Sequence, residues 1–247
     1  MAPLSRSTID WPALAPELIL VVGALLMLLV STFLRPDPPA GERGPSANPW
    51  AMFTLAVAGL ALISTLGIWK AVAGPAGVPR LAIVDAVVID GFAVFVTVVI
   101  CTAVALAVLL ADGYLNREGL NQPGFFVLIL LSAAGGLLMA KANDLIVVFL
   151  GLEILSIALY VLAGFHHRRP ESSEAAIKYF VLGSFSSAFF LYGVALTYGA
   201  TGTTNLGGIT AYLRTDIVPG GVLYGGFGLL LVGLGFKVAA VPFHMWT

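Results

Sequence analysis

The stretch NDLIVVFLGLEILSIALYVLAGF, residues 143–165, constrains this chain more than any other. It is apolar for long enough to cross the hydrocarbon core of a bilayer, which takes about 20 helical residues. Asp144 stands at its start, where a helix N-terminus accommodates negative charge. Glu153 stands about two and a half turns inside. An ionised group at that depth costs roughly 3 kcal/mol on insertion scales, so a partner or a function is expected for it.

Apolar runs of similar length recur along the chain. Spans are expected at residues 16–34, 50–72, 87–111, 125–140, 143–165, 173–199 and 220–242, which gives an all-α, polytopic transmembrane bundle of seven spans. Of the 247 residues 59% are hydrophobic and only 10% charged, against about 25% charged in a soluble domain. One membrane domain is therefore expected over residues 1–247. The first span lacks a small-residue cleavage end and reads as retained. A net charge of −1 leaves no basic footprint for nucleic acid. The single cysteine, Cys101, rules out an intrachain disulfide and any cysteine cluster.

The connections are legible too. Residues 35–49 and 112–124 read as loops, as does a segment with Gly74, Pro75, Pro79 and Arg80. Spans four and five abut at Lys141 and Asn143 and form a tight hairpin. In the polar segment 201–219, the TAYLR portion suggests a short interfacial helix. Trp50 and Trp69 are placed like interfacial anchors. If the N-terminus is outside, Arg35, Arg43, Arg117, Arg168 and Arg169 face inward and Arg6, Lys70, Arg80, Lys141 and Arg214 outward. The balance is even, and the compact cluster His166, His167, Arg168 and Arg169 favours placing its loop inside. The two histidines read as a solvated loop end.

Two further charges fall within spans. Lys178 lies about one and a half turns into span six. It either snorkels and pairs with Glu174 four residues before it, or forms an intramembrane ion pair with Glu153. Lys237 lies near the end of span seven, with Pro242 five residues on. The proline denies the Val238 carbonyl its hydrogen bond, and interrupted backbone at membrane depth is tolerated only against protein or a watery cavity. Broken helices flanked by ionisable groups, here Lys237 and His244, mark ion pathways in transporters. Ser156 and Tyr160 share the Glu153 face at i+3 and i+7, where they either line a path or bind helices together. Gly183 with Ser187, and Gly221 with Gly225, have small-xxx-small spacing and read as packing features.

Three segments together, NDLIVVFLGLEILSIALYVLAGF, EAAIKYFVLGSFSSAFFLYG and GFGLLLVGLGFKVAAVPFHMWT, resemble the antiporter-like membrane subunits of bacterial NADH–quinone oxidoreductase, respiratory complex I, and follow the subunit N pattern. The match covers residues 124–247; the first three spans fit in hydropathy. Leu152 before Glu153 and GFKVAAVPFHMW after it separate the chain from the L and M subunits and from related Na⁺/H⁺ antiporters.

The resemblance implies inverted repeats with a discontinuous helix, so that residues 125–247 hold an incomplete first repeat and residues 1–124 the three spans before it. It matches Glu153, Lys178 and Lys237 to the family's proton-transfer residues, Lys237 on the broken helix, and gives His244 no firm role. It also implies an N-terminus outside, a multi-pass place in the bacterial inner membrane, and other complex I membrane subunits and lipid as partners. FMN, iron–sulfur clusters and the quinone substrate are expected in other subunits, with no cofactor or metal here. The family's second repeat is not within these 247 residues, so a fragment or truncated gene product is expected. Two alternatives remain: a structural subunit with static buried ion pairs, or a subunit of a cation/proton antiporter.

Overall fold

The computed structural model describes residues 9–33, 48–72, 78–83, 85–215 and 220–246. The lead before residue 9, the expected loop at 35–47, the loop at Gly74 and Pro75, Pro219, and Arg6, Arg35 and Arg43 of the charge balance lie outside them. Among the described residues the elements are α1 (Ala15–Phe33), α2 (Pro49–Val72), β1 (Arg80–Ala82), β2 (Val87–Ile89), α3 (Gly91–Glu118), α4 (Pro123–Ala140), α5 (Leu145–Ala163), α6 (Pro170–Thr201), α7 (Leu206–Leu213) and α8 (Gly221–Lys237). Six of these helices are long and apolar enough to cross a membrane, and α8 is a shorter apolar helix. The chain is an all-α, multi-pass membrane protein.

Local chemistry sets the ends of these helices. Asp90 caps α3, its carboxylate accepting from Ala93 N at 2.8 Å. Asp144 does the same for α5 from Ile146 N at 2.8 Å, and Asn205 caps α7 through Gly208 N. Pro49, Pro123 and Pro170 open their helices, where the missing N–H costs nothing. The α7 helix falls in the segment expected to hold a short helix.

Three expectations shift. The third span was to begin at Val87, but residues Val87–Ile89 pair antiparallel with Arg80–Ala82. Three β-branched residues ahead of a capping aspartate suit a strand and then a helix start. The same helix continues past Ala111 to Glu118, through the expected loop, and stops only where Gly119 turns left-handed at φ 67°. Trp50, placed as an interfacial anchor, is buried instead.

The helices form two packed groups. In one, α1 to α4 enclose Leu20, Met27, Phe126, Leu130 and Leu137. In the other, α6 lies between α5 and α8, around Phe190, Val194 and Leu230 at one level and Tyr160, Tyr179 and Phe236 at another. The expected α4–α5 hairpin joins the groups. Its helices touch backbone to backbone, because a Cβ on Gly135 would sit 2.5 Å from Leu155 N and one on Gly151 2.8 Å from Met139 N. On α6 and α8 the close positions are Gly193, Gly226 and Gly233, where a Cβ would lie within 2.8 Å of the facing helix. Gly221 and Gly225 have no such neighbour. A glycine-rich helix repeats the i+4 spacing on several faces, and spacing alone does not say which face packs.

Residues 141–144 at the closed end of the hairpin are tied in by polar contacts. Val88 N donates to Lys141 O at 2.8 Å and Asn143 N to Ala86 O at 2.9 Å, which fastens the β1–β2 turn to them. Thr204 Oγ1 donates to Asp144 Oδ2 at 2.7 Å, which fastens the segment before α7.

Candidate functional site

The α8 helix stops at Lys237, five residues before Pro242. Ala239 takes a left-handed φ of 51°, Ala240 N closes the end on Gly235 O at 2.8 Å, and the chain continues in turns to Trp246. At about 1.5 Å per residue, 17 residues reach roughly 25 Å, short of the 30 Å core. The helix is capped at Val238, the residue whose carbonyl Pro242 leaves without a helical partner, and its end leaves the lysine on the last turn.

Lys237 Nζ is buried and has no hydrogen-bond acceptor. It lies 5.3 Å from the ring centre of Tyr160 on α5 and 5.3 Å from that of Tyr179 on α6. Two aromatic faces hold an ammonium by their quadrupoles. The Glu153 carboxylate is within electrostatic reach of Lys237, and its Oε1 is also buried without a hydrogen bond. The α8 and α5 helices thus each carry an ionisable group with a buried polar atom that no protein hydrogen bond meets.

Aromatic packing builds this pocket. Tyr160 meets Tyr179 edge to face at 4.7 Å. Tyr179 stacks on Trp246 at 4.4 Å, and Trp246 Nε1 donates to Phe236 O at 3.0 Å, which folds the segment after α8 back over the lysine. Gly183 makes room for Tyr160: a Cβ there would be 2.1 Å from the tyrosine Oη. Gly183→Ala is expected to push the Tyr160 ring off Lys237 and to lower the unfolding temperature, an overpacking effect checked by thermal melting.

The other expected site residues are placed as follows. Ser156 is fully buried, and its hydroxyl donates to Leu152 O on its own helix. Lys178 pairs with Glu174 and is 60% exposed; no ion pair joins it to Glu153. His244 is exposed on the segment that follows α8. His166, expected in a solvated loop, instead has Nε2 3.5 Å from Glu118 Oε2, which also accepts from Arg169 Nη2 at 3.0 Å. The extra two turns of α3 carry Glu118 to that loop.

One ionisable pair escaped the sequence reading. Lys141 Nζ lies 2.6 Å from Glu17 Oε1, the two side chains 2% and 12% exposed, and it donates to Ala13 O at 3.2 Å. Each residue sits at the end of a span and looked solvated. The available signal was parity: the start of the first span and the end of the fourth lie on the same side of a membrane. Among the described residues no group of three His, Cys, Asp or Glu side chains could hold a metal.

A family described as NADH:quinone oxidoreductase/Mrp antiporter, transmembrane, matches residues 142–247. Subunit N of NADH-quinone oxidoreductase from Trichlorobacter lovleyi is 42% identical over 97% of this chain and 46% of its own length. The subunit N of Chloroflexus aggregans is 39% identical over 100% of this chain and 48% of its own. Over nearly its whole length the chain is similar to subunit N of NADH-quinone oxidoreductase. It spans about half the length of the curated relatives it matches. Among solved structures, a chain of respiratory complex I from Thermus thermophilus with bound aureothin superposes with a TM-score of 0.72 at 34% identity, over 94% of this chain and 46% of that one. A chain of an archaeal membrane-bound sulfane sulfur reductase gives 0.75 at 26% identity, over 95% and 46%. The Mrp complex of Dietzia shares the fold, with 0.70 at 21% identity over 96% and 43%. The family match begins one residue after Lys141 and takes in α5, α6 and α8, the three helices that build the Lys237 pocket.

Proposed function

We propose that this chain is part of a proton-translocating membrane subunit of NADH-quinone oxidoreductase in a bacterial inner membrane, with other membrane subunits of that complex as neighbours. In this reading residues 125–247 belong to an antiporter-like repeat, and electron transfer from NADH to quinone, with its FMN and iron–sulfur clusters, takes place in other subunits. The observation that carries it is Lys237 Nζ, buried without an acceptor at a helix end, between two tyrosines and within reach of Glu153.

Such a lysine holds its proton when a carboxylate is near and yields it when the carboxylate withdraws or is neutralised. Glu153 is the moving charge and Lys237 the carrier. Lys178 enters by exchanging Glu174 for Glu153, which links the exposed start of α6 to the buried pocket. Ser156 and Tyr160, one and two turns from Glu153 on α5, line the way, and His244 lies beyond the helix end.

The test is Glu153→Gln in the full-length protein within the assembled complex. The amide keeps the shape and removes the titration. Coupled quinone reduction and proton uptake into vesicles are expected to fall about tenfold or more, in keeping with the loss of a group that transfers protons, while assembly is unchanged. Wild-type turnover and pumping would refute the proposal. A structural subunit predicts a different pattern: replacing Glu153 and Lys178 together by apolar residues of similar size would then be tolerated.

A further inference from the structure

Glu17 and Lys141 form the one ion pair among the described residues in which both side chains are nearly or fully buried, and the Glu153–Lys237 relay does not use it. The pair joins the first turn of α1 to the C-cap of α4. A static clasp at such a place would saturate its lone pairs, because an incompletely bonded buried ion is costly. Glu17 is not saturated in this way: Oε1 faces the Lys141 ammonium, and Oε2 is buried with no side-chain partner. Lys141 directs one donor to Ala13 O and sets its charge 2.6 Å from Oε1.

Three other groups bear on the pair. Cys101 of α3, itself buried, lies within electrostatic reach of both partners. Asp10 and Arg80 form a partly exposed ion pair at 3.9 Å, and Asp10 Oδ1 accepts from Ala13 N at 3.3 Å. The residue whose carbonyl binds Lys141 is therefore also bound by a group at the aqueous edge. Through Ala13 the buried pair is linked to the partly exposed Asp10–Arg80 pair, at the closed end of the hairpin whose second helix carries Glu153.

We propose that Glu17 and Lys141 form a second proton-holding site of this subunit, loaded from the aqueous edge beside Asp10 and Arg80. Uptake of one proton on Glu17 turns a carboxylate beside an ammonium into a neutral acid beside an ammonium, and the charge of the pair rises from zero to plus one. Release reverses the step. The charge change acts at the end of the α4–α5 hairpin, whose two helices are in backbone contact at Gly135 and Gly151, so the loading state reaches Glu153 through one rigid unit. The inference rests on the proton-translocating reading above.

The experiment uses the full-length protein in its assembled complex, reconstituted into vesicles. Glu17→Gln, Lys141→Met and the double variant Glu17→Leu/Lys141→Met are compared with Glu153→Gln. Glu17→Gln is expected to assemble, to lower protons moved per NADH several-fold, and to remove a carboxyl signal from infrared difference spectra recorded across a pH titration. The double variant is expected not to recover pumping. Wild-type pumping in the double variant would show a static clasp and overturn the inference. If the double variant fails to assemble, Glu17→Gln decides alone, since it keeps the shape: wild-type pumping and an unchanged infrared signal overturn the inference. Glu153→Gln separates the two readings. Loss there with wild-type behaviour at Glu17 sinks only this inference, whereas wild-type pumping at Glu153 sinks the relay beneath it.

Discussion

If the proposed relay operates, Lys237→Ala in the full-length protein is expected to leave an assembled complex that no longer couples quinone reduction to proton movement. The expected fall in coupled turnover is about tenfold or more, the usual scale for removing a proton-transferring group. The side chain touches two tyrosine rings and has no hydrogen-bond acceptor, so its removal leaves no orphaned acceptor behind, and the packing lost is one methylene stem at a helix end. Lys237→Arg gives the sharper result. Arginine keeps the positive charge and stacks well on aromatic faces, but it does not release its proton in a protein. If Lys237 carries protons, the arginine variant assembles and is as inactive as the alanine variant. If Lys237 only supplies a fixed charge to hold Tyr160, Tyr179 and Glu153 in place, the arginine variant retains turnover and the carrier role fails. Proton uptake per NADH in reconstituted vesicles distinguishes the two.

Much of this site was legible in the sequence because membrane depth makes a charge conspicuous. Glu153 and Lys237 stood out in apolar runs, and the structure places them within electrostatic reach. What the sequence left open was direction. Lys178 had two candidate partners, one on its own helix and one on a neighbour; spacing fixed the first at i+4, whereas the second depended on how α5 and α6 rotate about their axes. The structure has Lys178 on Glu174. The tyrosine cage was equally out of reach: spacing puts Tyr160 on the Glu153 face, and nothing in the sequence marks Tyr179, which faces the same ammonium. The Glu17–Lys141 pair was hidden for the opposite reason. A charge at the end of a span is cheap in water, so nothing in the sequence marks the two ends that the fold buries together. Helix ends were misjudged where a local cue was weak, as in the extension of α3 past Gly113 to its left-handed stop at Gly119.

Gly151→Ala tests whether the α4–α5 hairpin is the rigid unit these readings require. The added methyl would stand 2.8 Å from Met139 N and 2.9 Å from Gly135 O, both main-chain atoms. A flexible side chain could swing aside at that distance; a helix backbone cannot, so the two helices must part. Overpacking of this kind costs about 1–3 kcal/mol, less whatever alanine returns as a better helix former than glycine, up to about 1 kcal/mol. The variant is expected to lower the unfolding temperature of the subunit in the complex and, because Glu153 lies two residues beyond Gly151, to depress coupled turnover as well. Gly135→Ala should behave alike, its methyl meeting Leu155 N at 2.5 Å. Gly59→Ala on α2 is the control: nothing lies within 4 Å of that methyl, and stability should hold or rise. The comparison also separates stability from function. Should Gly151→Ala unfold at the wild-type temperature, the helices are not locked by backbone contact. Should it unfold early yet pump normally per assembled complex, Glu153 tolerates a displaced α5, and the hairpin cannot be what carries the loading state of Glu17 and Lys141 to it.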